Sequence, residues 1–271
     1  MDETTLPPAI DDGSLLIRYL VDLHGSDFQR RLLSALSGDG LATFTGILDR
    51  GAFARLARGL AALYPHPDAD PDGLTLLHAR ESGETLGKRG FSDAELLPHT
   101  ERSCTMVPPH LLMLMCLTPG LHGGETLLID GRSVAEDLAR TEPESWRVLS
   151  GPRTAYFGGA AGHAGSIFEH LSSGRWMIRL RLDELVRFAP QALPHVAILR
   201  KVIGRHTKTL LLEPGQGFIL DNTRWLHGRR SFQGPRTMLR ALGELREGLS
   251  PERGFPVLLT DLERTTGKGC T

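Results

Sequence analysis

Two short segments carry residue types that can bind a divalent metal ion: residues 98–103 (PHTERS) and residues 222–229 (NTRWLHGR). In an extended segment, residues two apart project to the same face, so His99 and Glu101 are expected to lie side by side. His227, in the second segment, supplies another imidazole. Two histidines and one carboxylate on one face of an ion, with the other positions open, are typical of non-haem Fe(II) sites that activate oxygen.

A glycine-rich segment and two arginines accompany these residues. Residues 123–126 (GGET) precede an apolar run, and Arg236 and Arg240 follow His227. Four positions along a strand place both guanidinium groups on one face. Arginine binds carboxylates with a planar fork, and a buried arginine without an anionic partner is costly. The pair therefore predicts a nearby site for an acidic small molecule. A structural salt bridge to acids of the protein is the alternative interpretation.

The ordered motifs PHTERS, GGETLLIDG, LDNTRWLHGR and RTMLR resemble the Fe(II)/2-oxoglutarate-dependent oxygenases of the taurine dioxygenase superfamily. The His-Thr-Glu form is most similar to the clavaminate synthase-like branch, in which Glu replaces the commoner Asp. The resemblance extends from about His78 to about Glu247. It implies that His99, Glu101 and His227 are the catalytic metal ligands for Fe(II), and that 2-oxoglutarate and O2 take the remaining positions.

The same resemblance assigns the other site residues. It implies that Arg236, with Thr126 as the hydroxyl partner, binds the remote carboxylate of 2-oxoglutarate. Arg240 is then expected to bind the primary substrate or to share the cosubstrate. Related halogenases leave the carboxylate position of the metal empty for chloride. Because Glu101 fills that position here, hydroxylation or desaturation of an aliphatic C–H is expected, with release of succinate and CO2.

The expected substrate is a small amino-acid-like molecule with an acidic group, free or carrier-bound, in specialised metabolism. Two alternatives stay open. One is a metalloenzyme of the same fold with other chemistry, such as a zinc hydrolase or a cupin-type isomerase. The other is a non-catalytic jelly-roll binding module. Arg236 with Thr126 argues against the first, and the complete ligand set argues against the second.

Composition narrows the remaining classes of function. The chain has 271 residues, 40% of them hydrophobic and 23% charged, with a net charge of −1. This balance does not indicate binding to nucleic acid or to an anionic membrane. The sequence has no apolar run long enough for a transmembrane helix and no apolar segment near Met1 that would indicate secretion. The three cysteines have no metal or redox spacing, and Cys104 is interpreted as a packing residue. A cytoplasmic location is expected.

The order of elements predicts an α+β, mainly β fold: a double-stranded β-helix (jelly roll) core with N-terminal and inserted helices. A single oxygenase domain is expected over residues 1–271, with residues 1–12 and 249–271 peripheral. Periodicity and capping signals predict helices over residues 27–36, 52–64, 134–140 (capped by Ser133) and 192–205. Strands are predicted over residues 41–46, 111–117, 126–130, 175–181, 207–212, 217–220 and 237–245, with 207–212 and 217–220 paired through a Pro-Gly turn.

Several residues around the ligands receive supporting roles. Asn222 and Arg224 are predicted to fix the turn that presents His227. Asp130 is interpreted as structural. The segments 78–90 and 158–166, which are rich in glycine, are predicted to form loops that line the pocket.

Overall fold

The computed structural model describes residues 10–11, 14–80, 87–159 and 162–257. The helices are α1 (Ser14–Arg18), α2 (Phe28–Gly38), α3 (Arg50–Leu60), α4 (Gly131–Thr141), α5 (Pro143–Leu149) and α6 (Leu193–His206). The strands are β1 (Ile10–Asp11), β2 (Leu41–Phe44), β3 (Ala61–Leu63), β4 (Thr75–Leu77), β5 (Leu96–His99), β6 (Leu111–Thr118), β7 (His122–Gly123), β8 (Thr126–Asp130), β9 (Ala155–Phe157), β10 (His163–Gly165), β11 (Phe168–His170), β12 (Trp176–Ile178), β13 (Val186–Phe188), β14 (Lys208–Leu210), β15 (Gly217–Asp221), β16 (Trp225–Arg229), β17 (Phe232–Gln233) and β18 (Thr237–Leu245).

Two large sheets face each other. The five-stranded sheet has the order β1-β14-β8-β16-β5, and its neighbours are antiparallel except for β1 and β14. The six-stranded sheet has the order β2-β15-β6-β18-β3, with β4 also paired to β18, and it is antiparallel throughout. Smaller pairings join β10-β9-β13, β11-β12 and β17-β7.

Strand β6 shows how the layers form. Its apolar sequence buries side chains on both faces, because successive residues of a strand point in opposite directions. Leu111, Met113 and Met115 pack in a cluster with residues of α2 and α3. Leu112, Leu114 and Cys116 pack instead against the five-stranded sheet. The strand predicted over residues 111–117 is confirmed, and both of its faces are covered.

A second helical layer covers the outer face of the five-stranded sheet. Leu127, Ile129 and Leu226 of that sheet share one core cluster with the apolar faces of α4, α5 and α6. The ring centroid of Trp146 on α5 lies 4.9 Å from those of Phe168 and Trp176. The molecule is therefore layered as α2 and α3, six-stranded sheet, five-stranded sheet, and α4 to α6. Of the described helices, none is long and apolar enough to cross a membrane.

The predicted pairing of residues 207–212 with residues 217–220 is wrong. β14 pairs with β8 and β1 in the five-stranded sheet, whereas β15 pairs with β2 and β6 in the six-stranded sheet. The turn around Gly215, whose φ is +80°, carries the chain from one sheet to the other. β15 is buried along its whole length, so pairing with the equally apolar β6 is preferred over a local hairpin.

Two helix boundaries also differ from prediction. The second predicted helix ends at Leu60, because residues Ala61–Leu63 pair with the end of β18. Helix α4 begins at Gly131 rather than after Ser133. Its N-cap is Asp130, whose carboxylate accepts from the amide of Arg132 at 3.0 Å, and aspartate is as good a cap as serine.

Parts of the two chain ends that are expected to be peripheral are described by the structure. Ile10–Asp11 pairs with β14 as an added strand. Phe255 is fully buried in the cluster under α4 to α6 and bridges to Trp176. Residues 1–9, 12–13 and 258–271 lie outside the described residues.

The strand predicted over residues 237–245 is confirmed in full by β18 (Thr237–Leu245).

Candidate metal centre and its cavity

Backbone pairing brings the two histidines together. His99 ends β5 and lies opposite His227 of β16. The two imidazole centroids are 4.3 Å apart. Nδ1 of His99 donates to the carbonyl of Leu97 at 2.9 Å, which leaves Nε2 with a free lone pair, as metal-binding histidines require. Burial, and then the neighbouring His227, lower the pKa of His99 to about 3, so this imidazole is neutral near pH 7.

The alternation of β16 directs His227 between the sheets. Trp225 packs in the cluster between the two sheets, whereas Leu226 packs under the helices. His227, two residues after Trp225, therefore shares its inward face. The next residue must be glycine, because a Cβ on Gly228 would lie 2.6 Å from the carbonyl oxygen of Leu96. This close approach coincides with a bulge between β16 and β5.

Glu101 reaches the site from a turn rather than from a strand. β5 ends at His99, and Glu101 begins the next turn. Asn222 holds the backbone of Glu101 on both sides. Its Oδ1 accepts from the Glu101 amide at 2.7 Å, and its Nδ2 donates to the Glu101 carbonyl at 3.1 Å and to the Pro109 carbonyl at 2.9 Å. From the sequence, Asn222 was predicted to fix the turn that presents His227. Its contact with Glu101 was not predicted, because the two residues are 121 positions apart.

Arg224 and Asp130 have the supporting roles that were predicted. The Arg224 guanidinium donates to both carboxylate oxygens of Asp130, at 2.9 and 2.8 Å, and to the carbonyl of Gly38 at 2.8 Å. These bonds fix the turn between β15 and β16 against β8. Asp130 is structural, since it also caps α4.

The three ligand candidates form a compact set. One donor atom from each of His99, Glu101 and His227 lies within 4.8 Å of the others, and Nε2 of His227 is 3.6 Å from Oε1 of Glu101. Nδ1 of His227 is buried and has no hydrogen-bond partner among the described residues. Two neutral nitrogen donors and a carboxylate, without a thiolate, suit Fe(II). This donor set fits the ion that the sequence predicts.

Glu101 remains ionised in this environment. Burial alone would raise the pKa of its carboxyl group, but Arg240, together with His227, lowers the pKa well below the usual value. Nη1 of Arg240 donates to Oε1 of Glu101 at 2.6 Å. A deprotonated carboxylate is the form that binds a metal ion.

Thr126 and Arg236 line the cavity on which the three ligands open. This cavity has a volume of about 190 Å³ and lies at one end of the space between the sheets. Thr126 is buried on β8, opposite Arg229 of β16. Arg236 makes no side-chain hydrogen bond or ion pair with any described residue, and burial lowers the pKa of its guanidinium to about 10. A desolvated cation beside a buried hydroxyl fits an anionic ligand such as a carboxylate.

The glycine motif before Thr126 makes room for Arg236. Gly124 has a φ of +82°, and a Cβ there would lie 3.0 Å from Cδ and 3.1 Å from Nε of Arg236. The guanidinium carbon of Arg236 lies 5.6 Å from the ring centroid of Phe232. The segment 123–126 therefore contributes a wall against the arginine stem in addition to the hydroxyl of Thr126.

Several cavity residues have no assignment from the sequence. Arg229 is buried, and its guanidinium donates to the carbonyls of Ser92 and Ala94 at 2.9 and 2.7 Å, which holds the segment before β5. Its position two residues after His227 would have predicted its inward face. The remaining additions are His66, Asp68, Arg102, Cys104, Arg181 and Asp183. Cys104 thus lies at the cavity wall.

Of the two predicted pocket loops, the described residues of only one line the cavity. Gly87, Gly90 and nearby residues line the cavity, as expected for the segment 78–90, of which residues 81–86 lie outside the described part. The described residues of the segment 158–166 do not line it; they include strand β10. This segment packs beside the turn of Cys104, since a Cβ on Gly158 would lie 2.7 Å from Cβ of Cys104.

Together these features describe a candidate metal site of two histidines and one carboxylate, beside a cationic cavity between two largely antiparallel sheets. Residues 4–242 match the family described as taurine catabolism dioxygenase TauD, TfdA family, and the chain belongs to this family.

Individual relatives agree with this assignment. The chain is 25% identical over 226 residues to gamma-butyrobetaine dioxygenase of Homo sapiens, covering 74% of this chain and 55% of the relative. It is 25% identical over 171 residues to mitochondrial trimethyllysine dioxygenase of Gallus gallus, covering 56% and 41%. The chain thus spans about half the length of the curated relatives it matches. The non-heme iron oxygenase OrfP, in complex with Fe and alpha-ketoglutaric acid, has a similar fold, with a TM-score of 0.63 and 19% identity over 80% of this chain and 78% of OrfP.

Proposed function

We propose that the protein is an Fe(II)/2-oxoglutarate-dependent dioxygenase that hydroxylates, or desaturates, an aliphatic C–H of a small amino-acid-like substrate. One observation carries the proposal. The compact set of His99, Glu101 and His227 opens on a cavity that also holds Arg236, a partly buried cation without an anionic partner among the described residues. A site of this kind needs both a metal and an anionic cosubstrate.

His99, Glu101 and His227 are the metal ligands in this proposal. When bound, Fe(II) and 2-oxoglutarate supply an oxidant from O2, and 2-oxoglutarate leaves as succinate and CO2. The protein keeps both imidazoles oriented through strand pairing and the Leu97 carbonyl. Asn222 fixes the backbone of Glu101, and Arg240 holds one of its oxygens. These contacts hold the three donor groups at the cavity, where they would bind Fe(II).

Arg236 and Thr126 bind the remote carboxylate of 2-oxoglutarate. The guanidinium fork can satisfy both carboxylate oxygens, and the hydroxyl of Thr126 adds a further donor. Burial lowers the pKa of Arg236 because it removes water from the guanidinium. A bound carboxylate would stabilise the charged guanidinium in place of that water. Lysine could not reproduce the two parallel bonds.

Arg240 binds the acidic group of the primary substrate while it retains Glu101. Its Nη1 is engaged by Glu101, and its other terminal nitrogen, Nη2, lies on the cavity side, 3.3 Å from Nε2 of His66. The named relatives include dioxygenases of gamma-butyrobetaine and trimethyllysine, which favours an amino-acid-like substrate. We place the reaction in specialised metabolism, on a free or carrier-bound substrate.

The two main sheets support a double-stranded β-helix. Successive strands of these two sheets from β4 to β18 alternate between the sheets, except that β8 and β14 belong to the same one, and this alternation favours a jelly roll. In chain order, β4, β6, β15 and β18 belong to the six-stranded sheet, and β5, β8, β14 and β16 belong to the five-stranded sheet. This architecture places the ligand candidates beside the five-stranded sheet and Arg240 of the six-stranded sheet at one cavity. The alternatives of a zinc hydrolase, a cupin-type isomerase or a non-catalytic module give Arg236 no partner.

The experiment is anaerobic addition of Fe(II) and 2-oxoglutarate to the purified apo-protein. We expect a weak visible charge-transfer band from the chelated complex. The band should weaken in Glu101→Ala through loss of iron, and in Arg236→Ala through loss of 2-oxoglutarate at unchanged iron binding. Arg246→Ala, which removes a surface arginine beyond the end of β18, is the control. Bound Fe(II) without a band on adding 2-oxoglutarate would exclude the proposal.

A further inference from the structure

Arg102 is a cavity residue whose charge has no partner among the residues that the structure describes. It follows Glu101 directly and lines the same cavity as Arg240. Its side chain makes no hydrogen bond or ion pair with any described residue, and its Nε is buried without a partner. The guanidinium carbon lies 5.7 Å from the ring centroid of Tyr64, a contact that orients the group but leaves its charge uncompensated.

The backbone of Arg102 is also unusual. Its φ is +53°, and Arg153 is the other non-glycine residue with positive φ in the described part of the chain. This left-handed conformation is unfavourable for a long side chain, and such outliers persist where the surrounding structure enforces them, often at ligand sites. The conformation places the arginine at the turn immediately after the ligand Glu101.

The other cavity arginines have partners. Arg240 is bonded to Glu101, and Arg181 forms a two-pronged ion pair with Asp183 at 2.8 and 2.6 Å. Arg229 donates to backbone carbonyls, and Arg89 lies 4.0 Å from Glu184. Arg236 binds 2-oxoglutarate in the function proposed above. Arg102 is thus the member of this set that remains for another ligand.

The charge of the cavity favours an anionic ligand. Six arginines and three carboxylates line it among the described residues, which leaves a surplus of three positive charges when the histidines are not counted. Fe(II) and the dianion of 2-oxoglutarate add charges that cancel. A zwitterionic amino acid adds none, whereas an amino acid with an acidic side chain reduces the surplus. Electrostatic complementarity in a partly desolvated site discriminates strongly between such ligands.

We propose that Arg102 binds an anionic side chain of the substrate, so that the substrate is an amino acid carrying a second oxyanion in addition to its α-carboxylate. This inference rests on the proposed function, because it assigns Arg236 to 2-oxoglutarate and Arg240 to the α-carboxylate. The second oxyanion is a carboxylate or a phosphate ester, both of which suit a guanidinium. Arg102 is then a specificity-determining residue.

The test uses pairs of amino acids that differ in side-chain charge. Aspartate and asparagine, glutamate and glutamine, and O-phosphoserine and serine are titrated anaerobically into the protein loaded with Fe(II) and 2-oxoglutarate, and perturbation of the visible band is followed. We expect the acidic member of at least one pair to bind about 10-fold or more tightly than its neutral partner. The dicarboxylates and O-phosphoserine distinguish the two kinds of oxyanion.

Variants assign the preference to Arg102. Arg102→Gln should remove the acidic preference, and Arg102→Lys should keep part of it. Arg89→Gln, which removes the same charge from the cavity wall beside Glu184, should retain most of it. An unchanged band in Arg102→Gln shows that the fold and the cosubstrate site are intact; if that variant does not fold, Arg102→Lys and the wild-type pairs carry the test.

The outcomes separate the two proposals. A wild-type band without acidic preference in any pair, whether both members bind alike or neither binds, overturns the inference about Arg102 and leaves the oxygenase proposal standing. A preference that survives Arg102→Gln overturns it equally. Bound iron without a band overturns the proposed function, and the assignment of Arg102 falls with it.

Discussion

Nη1 of Arg240 lies 2.6 Å from Oε1 of Glu101. This bond joins the middle of the six-stranded sheet to a ligand candidate that is otherwise held by the five-stranded sheet and Asn222. Both side chains are about nine-tenths buried, so the bond is screened little by solvent. From the sequence, Arg240 was predicted to bind the substrate or cosubstrate, or to form a salt bridge with an acidic residue of the protein. Because the guanidinium has two terminal nitrogens, the salt bridge leaves room for a substrate contact.

Replacing Arg240 by glutamine is expected to weaken Fe(II) binding by about 10- to 100-fold, because partners that orient a metal ligand commonly contribute that much. The loss of the positive neighbour also raises the pKa of Glu101. Arg240→Lys should restore part of the affinity. Arg246→Gln removes the same charge from a surface residue that bonds the Arg58 carbonyl and serves as the control. Metal titration measures the effect, and equal affinities in the two glutamine variants would contradict the role of Arg240.

Gly124→Ala is expected to weaken 2-oxoglutarate binding at unchanged iron affinity. The added Cβ would lie 3.0 Å from Cδ of Arg236 and displace that side chain. Gly174→Ala is a matched control, because Gly174 has nearly the same φ, +81°, but nothing lies within 4 Å of its Cβ position. Both variants should lose about 1–2 kcal/mol of stability from the positive φ.

Calorimetric titration of 2-oxoglutarate into each metal-loaded variant measures the difference between them. A lower affinity in Gly124→Ala alone assigns the effect to the contact with Arg236. If Gly174→Ala weakens binding to the same extent, backbone strain is the cause and the proposed contact is not.

The local part of the site could be predicted from the sequence, and the long-range part could not. The spacing of His99 and Glu101, and of Arg236 and Arg240, follows the period of an extended chain, and the structure places all four at one cavity. The clamp of Asn222 on Glu101 spans 121 positions. The order of strands is equally non-local, which is why β14 and β15 were wrongly paired.

Tertiary competition explains the other differences. Residues 61–63 satisfy a helical pattern, but the free edge of β18 offers them backbone hydrogen bonds. His66 was not predicted at the site, because no periodicity in the sequence connects it with Arg240 across the cavity. Arg102 was part of the motif PHTERS, yet its significance depends on the absence of a partner among the described residues, which one sequence cannot indicate.

Acid is expected to destabilise the metal-free protein through His99. Its pKa is 6.5 in the unfolded chain and about 3 in the folded protein, so the unfolded state binds more protons between these values. The free energy of unfolding should therefore fall by about 1.4 kcal/mol per pH unit from this group as pH decreases below 6.5. Glu101 affects stability at lower pH than His99 does. Because its pKa is lower in the folded protein than in the unfolded chain, it adds to the free energy of unfolding above pH 4.5, and this contribution is lost as the pH falls through the folded pKa.

Denaturant titrations of the apo-protein between pH 7 and pH 5 measure the contribution of His99. His99→Gln should flatten the dependence, whereas His24→Gln, at an exposed position, should not. The same slope in wild type and His99→Gln would show that His99 is not held neutral by burial.

Asn222→Ala is expected to lower both stability and metal affinity. The substitution leaves the amide of Glu101 and the carbonyls of Glu101 and Pro109 without their partner in a fully buried region. Each unsatisfied buried group of this kind costs about 1–3 kcal/mol, and the backbone of Glu101 becomes free to shift. Thr207→Ala, which removes a buried hydroxyl that bonds the Ile203 carbonyl at 2.8 Å, controls for stability alone. Chemical denaturation with metal titration on both variants separates the effects: a positioning role for Asn222 requires that metal affinity falls in Asn222→Ala and not in Thr207→Ala.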